Sequence, residues 1–222
     1  MGKSCSKEST ADGAGRLFRD RSFFLWCLAV IAVGGVVLRV VVCLQLSHHP
    51  SVVNPASVTD METYQRFALG ILGGGWPEHF YYQPFYYTVF LPVAYLLTGQ
   101  SNVGVGMLQA CIGGVTVWLT GLCAARLYGR RTGLIAAAVL ALACFHVFYT
   151  PFLLIAVLQS FWMILLLYLG ERAWRKPRMS RWALVGGALG LANLTRGNIV
   201  LLVPAVLGLA LWRLRGNVKR AL

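Results

Sequence analysis

Apolar residues run along this chain in long blocks separated by short polar breaks, and the block lengths set the first expectations. A helix that crosses a hydrocarbon core takes roughly 17–25 predominantly apolar residues. Residues 22–46 form one such block, with Arg39 as its single charge. Residues 103–125 form a second, ending at Arg126. Residues 132–149 and 152–170 predict a third and a fourth, with Pro151 in the turn between them. Proline suits that place, because it breaks one helix and tolerates the first position of the next.

Two blocks read less simply. Residues 84–98 are apolar but short, with Pro92 inside, and predict a helix lying in the outer interface. Its Tyr-rich start fits the headgroup level, where aromatic belts sit. Residues 182–212 are too long for one simple span and carry Thr195-Arg196-Gly197-Asn198 near their middle. They predict a hairpin of two short helices with Arg196 at its outer turn. The sum is an all-α polytopic membrane protein of about six spans, with interfacial helices in the first outer loop. Residues 1–21 read as a disordered cytoplasmic tail, 22–212 as the membrane module with an outer loop at 48–102, and 213–222 as a basic cytoplasmic tail. The first block is too long for a cleavable signal peptide and lacks a small-residue cleavage site.

Charge sharpens the topology. The 222 residues hold 20 Lys+Arg against 7 Asp+Glu, a net +13 that first suggests a nucleic-acid binder. With 58% hydrophobic and 12% charged residues, a soluble basic domain is excluded, and no nucleic-acid partner is expected. Seventeen of the basic residues fall in four clusters: from Lys3 to Arg21, at Arg126 to Arg131, at Arg172 to Arg181 and from Arg213 to Arg220. Cytoplasmic loops collect Lys and Arg, so all four clusters and both termini are expected inside a cell membrane. Asp60, Glu62 and Glu78 instead lie in a loop whose one basic residue is Arg66. That loop is expected outside. Arg39, Arg66 and Arg196 stand off the pattern and become functional candidates. Arg39, roughly 25 Å up its helix, is expected to snorkel to the outer interface.

Chemistry concentrates in the outer loop. Residues 59–72 predict a short amphipathic helix closed by Gly73-Gly74-Gly75, with Asp60, Tyr64 and Ala68 on one face and Glu62–Arg66 as an i, i+4 pair on another. Asp60 reads either as an acidic residue favoured by the helix dipole or as a general base accepting a proton from an acceptor hydroxyl. His79-Phe80-Tyr81-Tyr82-Gln83-Pro84-Phe85-Tyr86-Tyr87 reads either as an interfacial belt or as a sugar-holding surface. The six cysteines show no CxxC spacing, and five of them read as small buried hydrophobes. His48-His49 is a weak metal signal, and no metal site is assigned.

Taken in order, these segments resemble the amino-terminal part of a GT-C superfamily glycosyltransferase, of the protein O-mannosyltransferase and lipid A aminoarabinose transferase type. The resemblance rests on a basic tail, one span and a long outer loop with an early acidic residue. It continues in Asp60-x-x-x-Tyr64-x-x-x-Ala68, in Phe80-Tyr81-Tyr82-Gln83-Pro84-Phe85-Tyr86 and in Ala125-Arg126-Leu127-Tyr128-Gly129-Arg130-Arg131. It closes with Gly190-Leu191-Ala192-Asn193-Leu194-Thr195-Arg196-Gly197-Asn198. Gly197 stands where the family often has Pro, and within residues 152–160, where relatives often carry an acidic residue or Lys, the corresponding polar residue is Gln159.

The resemblance implies transfer of a sugar from a polyprenyl-phosphate-type lipid donor to an acceptor on the outer face. Asp60 would act as base, with Glu62 as a second acidic candidate. Tyr64, Arg66, Tyr81, Tyr82, Gln83, Tyr86, Arg196 and Asn198 would bind substrate. Arg196 would hold the donor phosphate, a role for which Arg66 and Arg39 are weaker candidates. No cofactor is assigned, with a divalent metal left open. Members of this type usually have more spans, which implies a truncated form, a minimal module or a second membrane subunit completing the enzyme. The alternative reading is a non-catalytic truncated GT-C-like subunit or lipid-binding scaffold. A small transporter ranks last, because no internal repeat is seen.

Overall fold

The computed structural model describes residues 20–80 and 82–221, with side chains through 214. Tyr81 and nearly all of the expected tail at 1–21 lie outside the described residues. Every regular element among them is helical: α1 Arg21–Gln45, α2 Pro50–Val53, α3 Asp60–Leu72, a π-helical turn Tyr86–Phe90 running into α4 Leu91–Thr98, and α5 Asn102–Tyr128. Then follow α6 Arg130–Ala141, α7 Cys144–Phe148, α8 Ala156–Arg175, α9 Met179–Thr195, a 3₁₀ segment Gly197–Leu202 and α10 Val203–Ala221. Among the described residues, three stretches are long and apolar enough to cross a membrane: Arg21–Gln45, Asn102–Tyr128 and Gly197–Leu214.

The ends of the long helices follow local chemistry. Asp20 caps α1 by accepting from the Ser22 amide at 2.9 Å, and Ser101 caps α5 by accepting from Gly104 at 3.2 Å. α1, α5 and α6 pack as one unit whose contacts run through small residues. A Cβ on Gly114 would collide with the Val36 side chain, and one on Gly121 with Leu28. Close approach through glycine is the usual way for apolar helices to gain packing energy where lipid supplies no hydrophobic drive.

The third expected span, at 132–149, is two helices with a break at Leu142–Ala143. α6 has 12 residues, so it rises about 18 Å and stops short of a hydrocarbon core about 30 Å thick. Its last carbonyls therefore need partners inside the protein. Arg39 supplies them. Its Nη1 donates to Ala141 O at 3.2 Å and to Gly35 O at 2.9 Å, and its Nη2 donates to Leu140 O at 3.2 Å. Nη2 also lies 3.1 Å from His146 Nδ1, which accepts and so leaves that ring's proton on Nε2. Arg39 is fully buried. The expectation that it snorkels to the outer interface is thus corrected. Side chains on a helix lean toward its N-terminus, which carries the guanidinium back toward Gly35 and onto the end of α6.

Two further buried amides act in the same way. Gln109 Nε2 donates to Thr150 O and Phe152 O, each at 2.9 Å, across the non-helical stretch before α8. Asn102 Nδ2 donates to Val52 O and Val53 O, each at 3.1 Å, at the end of α2, and its Oδ1 accepts from the Tyr95 hydroxyl at 2.7 Å.

The basic clusters meet at one end. Arg126 pairs with Glu171 at 3.1 Å, and Arg175 Nη2 donates to Arg126 O at 2.7 Å. Arg213 Nε donates to Trp174 O at 3.2 Å, and Arg21, Arg126 and Arg130 line one cavity. The expected hairpin is therefore present: α9 leaves this end, breaks at Arg196, and the 3₁₀ segment and α10 return to it. Residues 84–98 form the π turn and α4, with Tyr86, Tyr87, Leu91 and Tyr95 packed inward.

Replacing Arg39 with Met is expected to lower stability by about 2 kcal/mol or more, read as a lower melting temperature in detergent. Gly113 leaves room for this side chain, since a Cβ there would sit 2.8 Å from Arg39 Nε. Gly113→Val should destabilise similarly. The two changes should combine non-additively in a double-mutant cycle, because they break the same contact. Additive effects, or a melting temperature unmoved by Arg39→Met, would contradict the role given to Arg39.

Candidate functional site

At the end of the bundle opposite the basic clusters, four segments converge: the start of α3, the turn into α4, the start of α8 and the break after α9. α3 begins at Asp60, with Thr59 as the capping position, and ends at Gly73. Its amphipathic pattern buries Tyr64 and Ala68 and leaves Asp60 and Arg66 exposed. Tyr64 lies edge-on to Tyr86, with centroids 5.2 Å apart, and stacks on Tyr87 at 6.2 Å. Its hydroxyl donates to Oε1 of Gln83.

Gln83 has a left-handed backbone with φ 65. A non-glycine residue pays about 1–2 kcal/mol for that conformation, so the segment needs compensating bonds. The Tyr64 hydroxyl supplies one, and Gln83 O accepts from the Tyr86 amide at 3.1 Å to supply another. Below it, the Tyr86 hydroxyl donates to Gln109 Oε1 at 3.3 Å, tying the aromatic cluster to the buried amide that holds the break before α8.

Arg196 sits where α9 ends, in extended backbone with φ −153 and ψ 112. Gly197 follows, and the chain resumes as a 3₁₀ segment. Arg196 Nη1 donates to Gln159 Oε1 at 2.6 Å, which fixes one arm of an otherwise exposed guanidinium. The rest of the fork is available for planar, bidentate recognition of an oxyanion.

Electrostatics joins the two halves. The Tyr64 hydroxyl is pushed up to about 12, first by burial, then by the negative charge of Asp60 and by Tyr87, while the positive charge of Arg196 pulls it down. Tyr64 thus remains a neutral donor to Gln83 at ordinary pH. Burial likewise drives the Tyr86 hydroxyl well above its usual range. Asp60 and Arg196 act on one hydroxyl from opposite signs, and the Asp60 carboxylate has no hydrogen-bond or ion-pair partner among the described residues.

The expected site residues do not all gather here. Glu62 and Arg66 pair with each other at 3.8 Å on the outer face of α3, where Arg66 also lies 5.7 Å from the Phe67 ring. Tyr82 is 85% exposed, and Asn198 is exposed in the first turn of the 3₁₀ segment. Tyr81 lies outside the described residues. His49 is occupied as a helix cap, its Nδ1 accepting from the Ser51 amide at 3.3 Å. Gln109, Tyr87 and Gln159 contribute contacts that sequence reasoning did not assign. An isolated amide in an apolar stretch was the readable signal for Gln109 and Gln159.

A family model described as dolichyl-phosphate-mannose-protein mannosyltransferase matches residues 82–221, well over half of the chain. No curated protein and no solved structure matches it. The matched segment includes Gln83, Tyr86, Gln159, Arg196 and Asn198, while Asp60, Glu62, Tyr64 and Arg66 precede it. With the all-helical membrane architecture, this match establishes that the chain belongs to the dolichyl-phosphate-mannose-protein mannosyltransferase family, glycosyltransferases of GT-C type that use lipid-linked sugar donors.

Proposed function

We propose that this chain takes part in moving a sugar from a polyprenyl-phosphate-type lipid donor to an acceptor at the outer face of a cell membrane. Asp60 is the general base, and Arg196 holds the donor phosphate. The carrying observation is the exposed guanidinium of Arg196 at the break after α9, with one arm held by Gln159 and the rest of the fork free.

In this reading the donor enters from the bilayer with its phosphate oxygens on the free arm of Arg196. Gln159 holds the other arm in place. The acceptor approaches from the aqueous side. Asp60 takes the proton from its hydroxyl or amine as the nucleophile attacks the anomeric carbon. The bond from that carbon to the phosphate oxygen breaks, and the lipid phosphate leaves paired with Arg196. A single displacement inverts the anomeric centre. Developing oxocarbenium character is the expected course by analogy with other glycosyl transfers. Tyr82 and Gln83 offer a ring face and polar groups to the sugar, whereas Tyr86, expected from the sequence to bind substrate, is fully buried and supports Gln83 from beneath. Glu62, Arg66 and Asn198 lie within the same outer region and bind substrate at its rim.

The topology that goes with this reading puts both termini and the basic end in the cytoplasm. Six spans then follow from α1, α5, α6 with α7, α8, α9 and the 3₁₀ segment with α10. The rival reading, a non-catalytic lipid-binding subunit, draws on the exposure of Asp60 and its lack of a positioning bond.

Asp60→Asn separates the two. Because the carboxylate is exposed and unbonded, the variant should express and melt like the parent. Transfer from a polyprenyl-linked donor by the assembled enzyme should fall by about 100-fold or more. Undiminished transfer would remove Asp60 from the chemistry and favour the rival.

A further inference from the structure

The basic end holds a second site whose shape and charge differ from those around Arg196. A cavity of about 300 Å³ there is lined by Arg126, Arg172, Arg175, Lys176 and Arg181, with Glu171 as its one carboxylate. Glu171 is already committed to Arg126 and Arg175. Arg181 Nη1 is turned onto the carbonyls of Lys176 at 2.9 Å and Arg172 at 3.4 Å. The side chains of Arg172 and Lys176 have no carboxylate partner among the described residues. The mouth therefore carries unneutralised positive charge.

Glu171 also borders a second cavity of about 420 Å³, an apolar groove between α8, α9 and α10. Leu166, Val185, Leu189, Val206 and Leu209 line it. Trp182 belongs to the same lining, next in sequence to Arg181 of the basic mouth. It is 8% exposed, and its indole Nε1–H is buried with no acceptor. A buried donor without a partner costs free energy, so an acceptor arriving with a ligand would be favoured.

We propose that this end of the bundle binds one anionic phospholipid. Its phosphate lies at Arg172 and Lys176, a glycerol-ester carbonyl accepts from Trp182 Nε1–H, and an acyl chain follows the groove. Charge complementarity selects the occupant: a neutral lipid fills the groove but leaves the cations unpaired, and basic pockets between helices on the cytoplasmic side suit anionic headgroups. The site is distinct from the donor phosphate at Arg196. The 17 residues of α9 separate the two ends by about 25 Å.

The test is native mass spectrometry of the full chain in detergent, titrated with phosphatidylglycerol or phosphatidylcholine. Phosphatidylglycerol should be retained preferentially. The double variant Arg172→Gln/Lys176→Gln should weaken that retention by roughly 30-fold, at about a fivefold loss per basic residue. Arg130→Gln/Arg131→Gln, which removes the same charge outside the cavity, should retain it. Lys176→Gln alone, at an exposed side chain that makes no hydrogen bond among the described residues, should show its fivefold share even if the double variant folds poorly. Soluble glycerol phosphate should fail to displace the lipid, because it lacks the chain. Equal retention of the two lipids would overturn the proposal. So would a preference untouched by Lys176→Gln, or displacement by soluble glycerol phosphate.

Discussion

Backbone carbonyls that end inside a membrane must be satisfied by the protein itself, and the rest of this fold depends on how that is done. α6 stops after 12 residues, and Arg39 reaches across from α1 to take its last carbonyls. Gln109 does the same for the non-helical stretch around Thr150 and Phe152, and Asn102 for the end of α2. Each is a buried polar side chain whose own groups are largely used. Without them the interrupted helices would leave buried carbonyls unpaired, each at a cost of a few kcal/mol. The interruptions matter because the site at the end opposite the basic clusters is assembled from broken elements.

That dependence can be traced through bonds. Gln109 spans from the carbonyls before α8 to the hydroxyl of Tyr86, and Tyr86 packs edge-on against Tyr64. Tyr64 in turn fixes Gln83 and lies under the opposing charges of Asp60 and Arg196. Gln159, near the start of α8, holds Arg196 from beneath. A chain of packed and hydrogen-bonded side chains therefore links the internal break to the surface where transfer is proposed. At the other end, the charge that sets topology also builds a mouth for an anionic headgroup. The two proposals together give one bundle two chemically different lipid sites, one at each end.

Much of this was legible in the sequence because hydropathy and charge act locally. The helix at Asp60–Leu72, the pair Glu62–Arg66 and the break at Arg196 follow from residue spacing alone. The described members of the four basic clusters, predicted to share a side, do share an end. The destination of Arg39 was not legible. Its position marked it as unusual, but its partner carbonyls lie about a hundred residues away and become available only because α6 stops early. The sequence of α6 continues apolar through Leu142 and Ala143 without a proline or a charge to mark the break. Gln109 and Asn102 were passed over for the same reason, since an amide in an apolar helix does not disclose which distant backbone group it serves. His146, whose Nδ1 accepts from Arg39, carried no sequence signal beyond being a lone histidine.

The central claim is a division of labour, with Arg196 binding the donor phosphate and Asp60 acting only on the acceptor. It is tested most directly by measuring equilibrium binding of a non-transferable polyprenyl-phosphate sugar analogue to the detergent-solubilised protein. The account predicts that Asp60→Asn binds the analogue as tightly as the parent, whereas Arg196→Gln binds it about tenfold or more weakly through the lost charge-assisted bonds. Unchanged affinity in Arg196→Gln would contradict it.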